Sequence, residues 1–293
     1  MRKFRLKKIS QFQRNRLVDS SFLYLGIFCT FFGLIILAIF IGNILKDGLS
    51  RIDWGFMTHL PSRNAAKAGI LTAWVGSVWI LVLTAIIAIP LGVSAGIYLE
   101  EYGKKNRFAS VIETNISNLA GVPSIIYGLL GLEIFVRVLH FGGSLLSGAF
   151  TLALLILPIL IVATREALKA VPNTLREASY GLGATKWQTI RYQILPAASG
   201  GIMTGIILAL SRAVGETAPL IVIGALAYVP FVPHSPLDEF TVLPMIIFYW
   251  VSRPQEEFLV NAAAGIIILL LITFLMNGVA VFLRNKWQKK INW

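Results

Sequence analysis

Arg212 and Glu216 are the residues best suited to chemistry, because they are charged groups inside a long apolar run over residues 197–228. An ionisable side chain inside a membrane-spanning segment is costly, so it marks a functional candidate by default. The two residues are four positions apart, and on a helix they would share one face and be able to pair. Gly215 and Pro219 would loosen the helix beside them, which is tolerated only next to protein or a water-filled path.

Two interpretations of this pair are open from the pattern. A guanidinium presents a fixed fork of donors that matches phosphate-like oxygens, so Arg212 would line an anion path while Glu216 holds or gates it. A site that binds an anion too tightly would block passage, and a partly neutralised Arg212 avoids this. Alternatively, Arg212 and Glu216 form a purely structural buried ion pair.

The polar segment 166–196 lies between two apolar runs and is too polar to cross a membrane. Thr174 with Glu177, and Thr185 with Gln188, have the spacing of a capping box. Each box predicts the start of a short helix.

Gly181 and Gly183 lie between the two predicted helices, where a turn favours residues that accept positive φ. Pro196 is predicted to end the second helix. Apolar residues recur at helical spacing on one face of each helix: Leu175, Ala178 and Leu182, then Trp187, Ile190 and Ile194. The segment therefore predicts a helix–glycine–helix hairpin, either as an ordered loop or as a docking surface for a partner protein.

The composition defines the broad class. Hydrophobic residues make up 56% of the chain and charged residues 14%, and the mean hydropathy is +0.75. These values are typical of an all-α polytopic membrane protein. The net charge of +12 does not indicate nucleic acid, because the basic residues lie at the ends of apolar runs, where they face lipid headgroups. Cys29 is the single cysteine, and the three histidines have no metal-ligand spacing, so neither a metal site nor a hydrolase is predicted.

Six membrane spans are predicted. They cover residues 22–41, 70–99, 116–139, 145–163, 197–228 and 258–283. The predicted organisation is a basic tail (1–21), a first transmembrane helix (22–45), an external segment (46–69), a transmembrane domain (70–283) and a basic tail (284–293). Residues 241–252 are apolar but too short to span, and they predict a re-entrant or interfacial helix. Most Lys and Arg residues fall in segments that six spans place with the termini, so both termini and the hairpin are predicted to be cytoplasmic.

The hairpin resembles the EAA loop of ABC importer permeases, through Glu177-Ala178-Ser179, then Gly183, then Leu195-Pro196. Ser179 departs from the second alanine of that pattern, and Gln193 stands where an aliphatic residue is usual. The resemblance implies coupling helices that seat in a groove of an ATPase subunit. The implied coupling residues are Glu177, Ala178, Gly183, Ala184, Thr185 and Lys186.

The run over residues 212–220 resembles the signature of phosphate ABC-transporter permeases of the PstA type, and residues 98–102 and 118–128 also resemble that family. The resemblance covers the chain from about residue 49 onward. It implies a MetI-like transmembrane fold in the inner membrane, with inorganic phosphate as substrate. It further implies a substrate path containing Arg212, Glu216 and Thr217, and a helix break at Gly215 and Pro219.

The resemblance also implies partners: a PstC-type permease in a heterodimer, two ATPase subunits and an extracytoplasmic phosphate-binding protein. ATP and Mg would be bound by the ATPase subunits, so no catalytic residue and no cofactor is expected in this chain. Residues 181–186 faintly resemble a phosphate-binding loop, but no glycine directly precedes Lys186. The alternatives are a permease for another oxyanion, such as molybdate or sulfate, and a non-conducting phosphate-sensing membrane scaffold.

Overall fold

The computed structural model describes residues 11–103 and 107–288, and this part of the chain is helical with no β-strand. Parts of both predicted basic tails, residues 1–10 and 289–293, lie outside the described residues. The α-helices are α1 (Gln11–Gly48), α2 (Trp54–Thr58), α3 (Leu71–Ile97), α4 (Arg107–Leu119), α5 (Ser124–Gly131), α6 (Leu145–Lys169), α7 (Asn173–Gly181), α8 (Lys186–Thr189), α9 (Leu195–Val214), α10 (Ala218–Ile223), α11 (Leu243–Val251) and α12 (Glu257–Gln288). Three wide π-helical segments continue α3, α5 and α8: Tyr98–Tyr102, Leu132–Val138 and Ile190–Ile194.

Five helical segments within the described residues are long and apolar enough to cross a membrane. They are Val18–Arg51, Leu71–Tyr102, Leu145–Lys169, Lys186–Val214 and Glu257–Lys286. A sixth crossing is formed if the pair Val111–Leu119 and Ser124–Val138 is counted together. The prediction of an all-α polytopic membrane protein is confirmed.

The third predicted span, residues 116–139, is not one helix. α4 and the segment that begins at Ser124 meet at an angle of 99°. Pro123 causes the bend, since it has no amide hydrogen and adopts an extended conformation with φ −55° and ψ 135°. The residue before a proline is also disfavoured in helical geometry, so α4 stops short of it.

The fifth predicted span, residues 197–228, is also wrong as a single helix. The crossing segment starts earlier, at Lys186, and ends at Val214. The short helix α10 begins four residues later, at Ala218, and is followed by Gly224, whose φ of +100° is left-handed. An irregular segment then leads to α11. The fifth apolar run is therefore divided between the end of one span, a helix of six residues and a loop.

α6 lies at the centre of the described fold and is the most buried of the long helices. It packs along α3 on one side and α9 on another, while α5 and α10 pack against each other and against α6. α11 is too short to cross a membrane, as predicted, and it is buried: Leu243, Ile246 and Trp250 join Phe56 and Phe258 in one apolar cluster. α1 packs on α12.

Candidate functional site

The helix break, which we define as residues 215–217, separates α9 from α10 and contains Glu216, whose predicted partner Arg212 lies just before it. Arg212 lies in the last turn of α9, and its Nε donates to Oε1 of Glu216 at 3.3 Å. The side chains are 38% and 17% exposed. The predicted pair is thus present. The prediction that Arg212 lies inside one span over residues 197–228 is wrong, because α9 and the crossing segment end only two residues after it.

The break follows from its residue types. The amides of Gly215 and Glu216 donate to carbonyls three residues earlier, both at 3.3 Å, so the helix closes in a tight final turn. The carbonyl of Thr217 then accepts from the amides of Leu220 and Ile221 in α10, both at 3.1 Å. Pro219 lies in the first turn of α10, where its missing amide hydrogen costs nothing.

α5 fixes the position of the break. Gly128 lies so close to α10 that an added Cβ would be 2.7 Å from the Cα of Pro219. Tyr127 packs in one cluster with Ala209 and Ala213 of α9, and its hydroxyl donates to the carbonyl of Leu119 at 2.8 Å. α5 therefore braces both helices that meet at the break.

Glu216 lines a small cavity of about 10 Å³ together with Ser77, Ile80 and Val242. A cavity of this size holds at most about one water molecule. The side chain of Glu216 is therefore enclosed on this side by α3 and by the start of α11.

Arg212 keeps free donors. It contacts Glu216 through Nε, and its two terminal nitrogens make no hydrogen bond to the described part of the chain. These nitrogens are the pair that binds two oxygens of an anion side by side. The arrangement can therefore offer a guanidinium fork to an oxyanion while Glu216 lowers the net charge.

The hairpin, which we define as α7, α8 and the turn between them, has one of the two predicted caps. The Thr185 hydroxyl accepts from the amide of Gln188 at 3.3 Å, and the Gln188 side chain accepts from the amide of Thr185 at 2.8 Å. This capping box confirms the prediction. The box at Thr174 is wrong, since α7 begins at Asn173 directly after Pro172 and Thr174 is already helical.

Gly183 has the positive φ expected of the turn, +80°, whereas Gly181 is the last residue of α7. The prediction that Pro196 ends the second helix is wrong. The helix continues from Lys186 to Val214, and the π-helical segment Ile190–Ile194 ends two residues before the proline. A widened turn there re-routes the hydrogen bonds that a proline disrupts.

The apolar residues of the hairpin, and of the π-helical segment that follows it, lie in two different environments. Ile190 and Ile194 are fully buried against Leu168 at the end of α6, so they anchor the hairpin. Leu182 is 90% exposed, and Trp187 is also exposed. Leu175, Ala178, Ala184 and Tyr192 are among the residues that line an open groove of about 510 Å³ between the two helices.

The six predicted coupling residues belong to this surface. Ala178, Gly183 and Ala184 line the groove, Glu177 and Lys186 are exposed, and Thr185 caps α8. Of the predicted path residues, Glu216 and Thr217 lie in the helix break with Gly215, and Arg212 lies just before it in α9. Pro219 lies just after the break in α10. The crossing segment Lys186–Val214 begins with α8 of the hairpin and is followed directly by the helix break.

Sequence reasoning missed a charged cluster where α3 meets the hairpin. The guanidinium of Arg176 contacts Glu101 at 2.8 Å, and Arg165 contacts Glu113 at 2.8 Å and Glu100 at 3.5 Å. Lys186 lies over the ring of Tyr102 at 4.7 Å. The available signal was the pair of adjacent carboxylates at the end of an apolar run in a basic chain.

The chain belongs to the family of binding-protein-dependent transport system inner membrane components, whose family model matches residues 88–289.

Among its relatives is the phosphate transport system permease protein PstA of Yersinia pestis, which is 35% identical over 96% of this chain and 94% of that protein. The PstA protein of Haemophilus influenzae is 35% identical over 85% of this chain and 86% of that protein. The probable ABC transporter permease protein YqgI of Bacillus subtilis is 33% identical over 88% of this chain and 92% of that protein.

Two solved structures share the fold. A bacterial ABC transporter involved in the import of the acidic polysaccharide alginate aligns with a TM-score of 0.67 and 12% identity, over 93% of this chain and 98% of that chain. The MetNI methionine ABC transporter, in an inward-facing conformation, aligns with a TM-score of 0.56 and 21% identity, over 72% of this chain and 94% of that chain. At these identities the likeness concerns the fold alone, and it agrees with the predicted MetI-like transmembrane architecture.

Proposed function

We propose that this chain is the transmembrane permease subunit of an ATP-driven importer of inorganic phosphate. The observation that carries the proposal is the arginine at the helix break. Arg212 has two free terminal nitrogens and a partial counter-charge, in a chain that aligns nearly end to end with proteins named as phosphate permeases. A guanidinium fork suits the paired oxygens of phosphate, and partial neutralisation by Glu216 keeps the contact weak enough for release.

The proposed partners supply what the chain does not. A PstC-type permease completes the path, an extracytoplasmic binding protein delivers phosphate, and two ATPase subunits bind ATP and Mg. The permease itself catalyses no reaction. One alginate transporter with this fold is described in complex with a pentasaccharide-bound periplasmic protein, which supports the expectation of a delivery protein here.

The proposed mechanism joins the two ends of one helix. Closure of the ATPase dimer around ATP moves the hairpin, whose exposed groove and Glu177 seat on the ATPase subunit. Because the hairpin continues without interruption into α9, the movement reaches Arg212 at the far end of the same crossing segment. The path then opens alternately to the two sides of the membrane.

The proposed orientation places both termini and the hairpin in the cytoplasm, as the distribution of Lys and Arg favours. Labelling with a membrane-impermeant thiol reagent tests it in a Cys29→Ser background. Lys186→Cys should react only from the cytoplasmic side and His234→Cys only from outside. The reverse pattern would overturn the orientation.

Uptake by the complex reconstituted from this chain, the second permease, the two ATPase subunits and the binding protein tests the function. Arg212→Gln should abolish phosphate uptake while the complex assembles and binds ATP, and Arg212→Lys should restore it poorly, since a point charge does not reproduce the fork. The double variant Arg212→Gln/Glu216→Gln carries no unpaired charge. Near-normal uptake by this variant would show that the pair is only structural and does not contact the substrate. Uptake of sulfate or molybdate in place of phosphate would overturn the proposed substrate, and a wild-type complex that moves no anion would overturn conduction.

A further inference from the structure

Three consecutive residues at the end of α3 each contact a basic side chain of a different helix. The contacts are Glu100 with Arg165 of α6, Glu101 with Arg176 of α7, and Tyr102 with Lys186 of α8. The last two helices are the two arms of the hairpin. The end of α3 is therefore held by the hairpin from both sides of its turn.

The end of α3 has an unusual backbone. The segment Tyr98–Tyr102 is π-helical, and the amide of Gly103 closes it on the carbonyl of Tyr98 at 2.8 Å. Such wide turns are rare and occur frequently at functional sites. Here the wide turn presents successive side chains to three neighbouring helices.

The contact between Arg176 and Glu101 is the firmest of the three. The side chains are only 15% and 6% exposed. The Arg176 guanidinium also donates to the carbonyls of Leu168 and Val171, at 3.0 Å and 2.8 Å, which fixes its orientation. By comparison, the pair of Lys169 with Glu166 is 40% and 64% exposed, and such surface pairs contribute little.

α3 connects this contact to the other end of the molecule. Ser77 and Ile80, near the start of α3, line the small cavity beside Glu216. The hydroxyl of Ser77 also accepts from the amide of Leu243 at 2.9 Å. From residue 77 to residue 101 a helix extends about 36 Å, longer than the hydrocarbon core of a bilayer.

We propose that Arg176 and Glu101 are positioning residues that make the hairpin and α3 move as one body, so that ATP-driven movement reaches Glu216 through α3 as well as through α9. The inference rests on the proposed function, in which the hairpin receives the movement of the ATPase subunits. It adds a second route for the movement of the hairpin, in which α3 is the span that the hairpin moves. The buried ion pair is suited to this role because it resists separation: parting it would leave an uncompensated charge in the interior.

Coupling in the reconstituted complex tests the proposal. The double variant Arg176→Gln/Glu101→Gln leaves no lone buried charge, so the complex should assemble and hydrolyse ATP. The amount of phosphate moved per ATP should fall about tenfold, within the range of ordinary coupling energies between sites. Arg191→Gln is the matched control, since Arg191 is an exposed arginine near the hairpin whose described contact is with the ring of Tyr192. The control should keep the native ratio.

A substrate-independent measurement keeps the two proposals separable. Spin labels on Thr174→Cys in α7 and Val82→Cys in α3, in the Cys29→Ser background, report the distance between hairpin and span by pulsed electron paramagnetic resonance. In the otherwise native complex one narrow distance should persist from the resting to the vanadate-trapped state. In the double glutamine variant the distance should broaden or shift on trapping.

The two measurements together distinguish a failure of the link between hairpin and α3 from a failure of the proposed phosphate import. A double variant with the native ratio of phosphate to ATP, and with the native label distance in both states, would overturn the role of Arg176 and Glu101 while leaving phosphate import intact. If the native complex moves no phosphate, the proposed substrate is overturned. If the label distance is nevertheless constant in the native complex and changes in the double variant, the link between hairpin and α3 is supported. A distance that changes on trapping in the native complex would overturn the link.

Discussion

Replacing Gly128 with alanine tests whether the close seat of α5 on α10 holds the helix break in place. The added Cβ would lie 2.7 Å from the Cα of Pro219, 2.9 Å from its carbonyl oxygen and 3.0 Å from the Cβ of Val222. These neighbours are backbone or branch-point atoms, so no flexible side-chain end is able to move aside. Carbon atoms prefer about 3.5–4.0 Å, and α5 and α10 must therefore separate by roughly 1 Å.

The expected magnitude has two parts. Overpacking of this kind costs about 1–3 kcal/mol. Replacing a glycine inside a helix by alanine returns about 0.5–1 kcal/mol. The midpoints of these two ranges give a net loss of about 1 kcal/mol, or a fall of roughly 2–4 °C in melting temperature for a domain of this size.

The assay is thermal melting of the purified complex, with phosphate uptake measured in parallel. Gly278→Ala in α12 is the matched control, because its Cβ would meet nothing within 4 Å. That variant should melt at or slightly above the native temperature. Gly128→Ala should melt lower and transport less, since the displaced α10 carries the chain next to Glu216 away from α9. Equal melting temperatures for the two variants would refute the argument.

Three further predictions concern loops and turns. Gly183→Val should destabilise the turn of the hairpin by about 1–3 kcal/mol because φ is +80°, whereas Gly183→Asn should destabilise it less. The amount of ATPase subunit that co-purifies with each variant measures the effect, and equal losses for valine and asparagine would contradict the backbone explanation. His140 has a φ of +55°, so His140→Gly should match or exceed the native melting temperature, and a marked fall would show that its side chain matters more. The amides of His234 and Ser235 donate to Asp238 and lower the pKa of its carboxyl group from 3.8. The ionised carboxylate therefore stabilises the loop at neutral pH, and this stabilisation is lost as the pH falls below about 4 through the lowered pKa. At neutral pH the native loop should resist proteolysis better than that of Asp238→Asn, and this difference should disappear in acid. A difference that does not change with pH would contradict the stabilising role of the ionised carboxylate.

Local patterns in the sequence were sufficient for much of the architecture. Runs of apolar residues gave the crossing segments because a bilayer demands about twenty such residues. The spacing of Thr185 and Gln188 gave a correct cap, and the spacing of Arg212 and Glu216 gave a correct pair, because both depend on residues within one helical turn. The left-handed turn at Gly183 was predictable for the same reason.

Other features depend on how local preferences compete. Proline has different effects at two positions: α4 ends before Pro123, whereas the crossing segment continues through Pro196, which follows a π-helical segment. The hydropathy pattern of the sequence does not predict such a π-helical segment. The contact between Arg176 and Glu101 joins residues 75 positions apart, so it depends on tertiary packing that no single stretch of sequence specifies.

The packing of α1 on α12 has a consequence for biogenesis. α1 and its partner α12 are far apart in the sequence: Gly48 lies against Ala263 and Ala264, and Arg51, just after α1, donates to Asn261 across a separation of 210 residues. At about 5–20 residues per second, the chain is elongated for roughly 10–40 s before Asn261 is made. Throughout that interval α1 is held in the bilayer by its hydrophobicity alone, and lipids or membrane insertion factors must cover the surface that α12 later occupies.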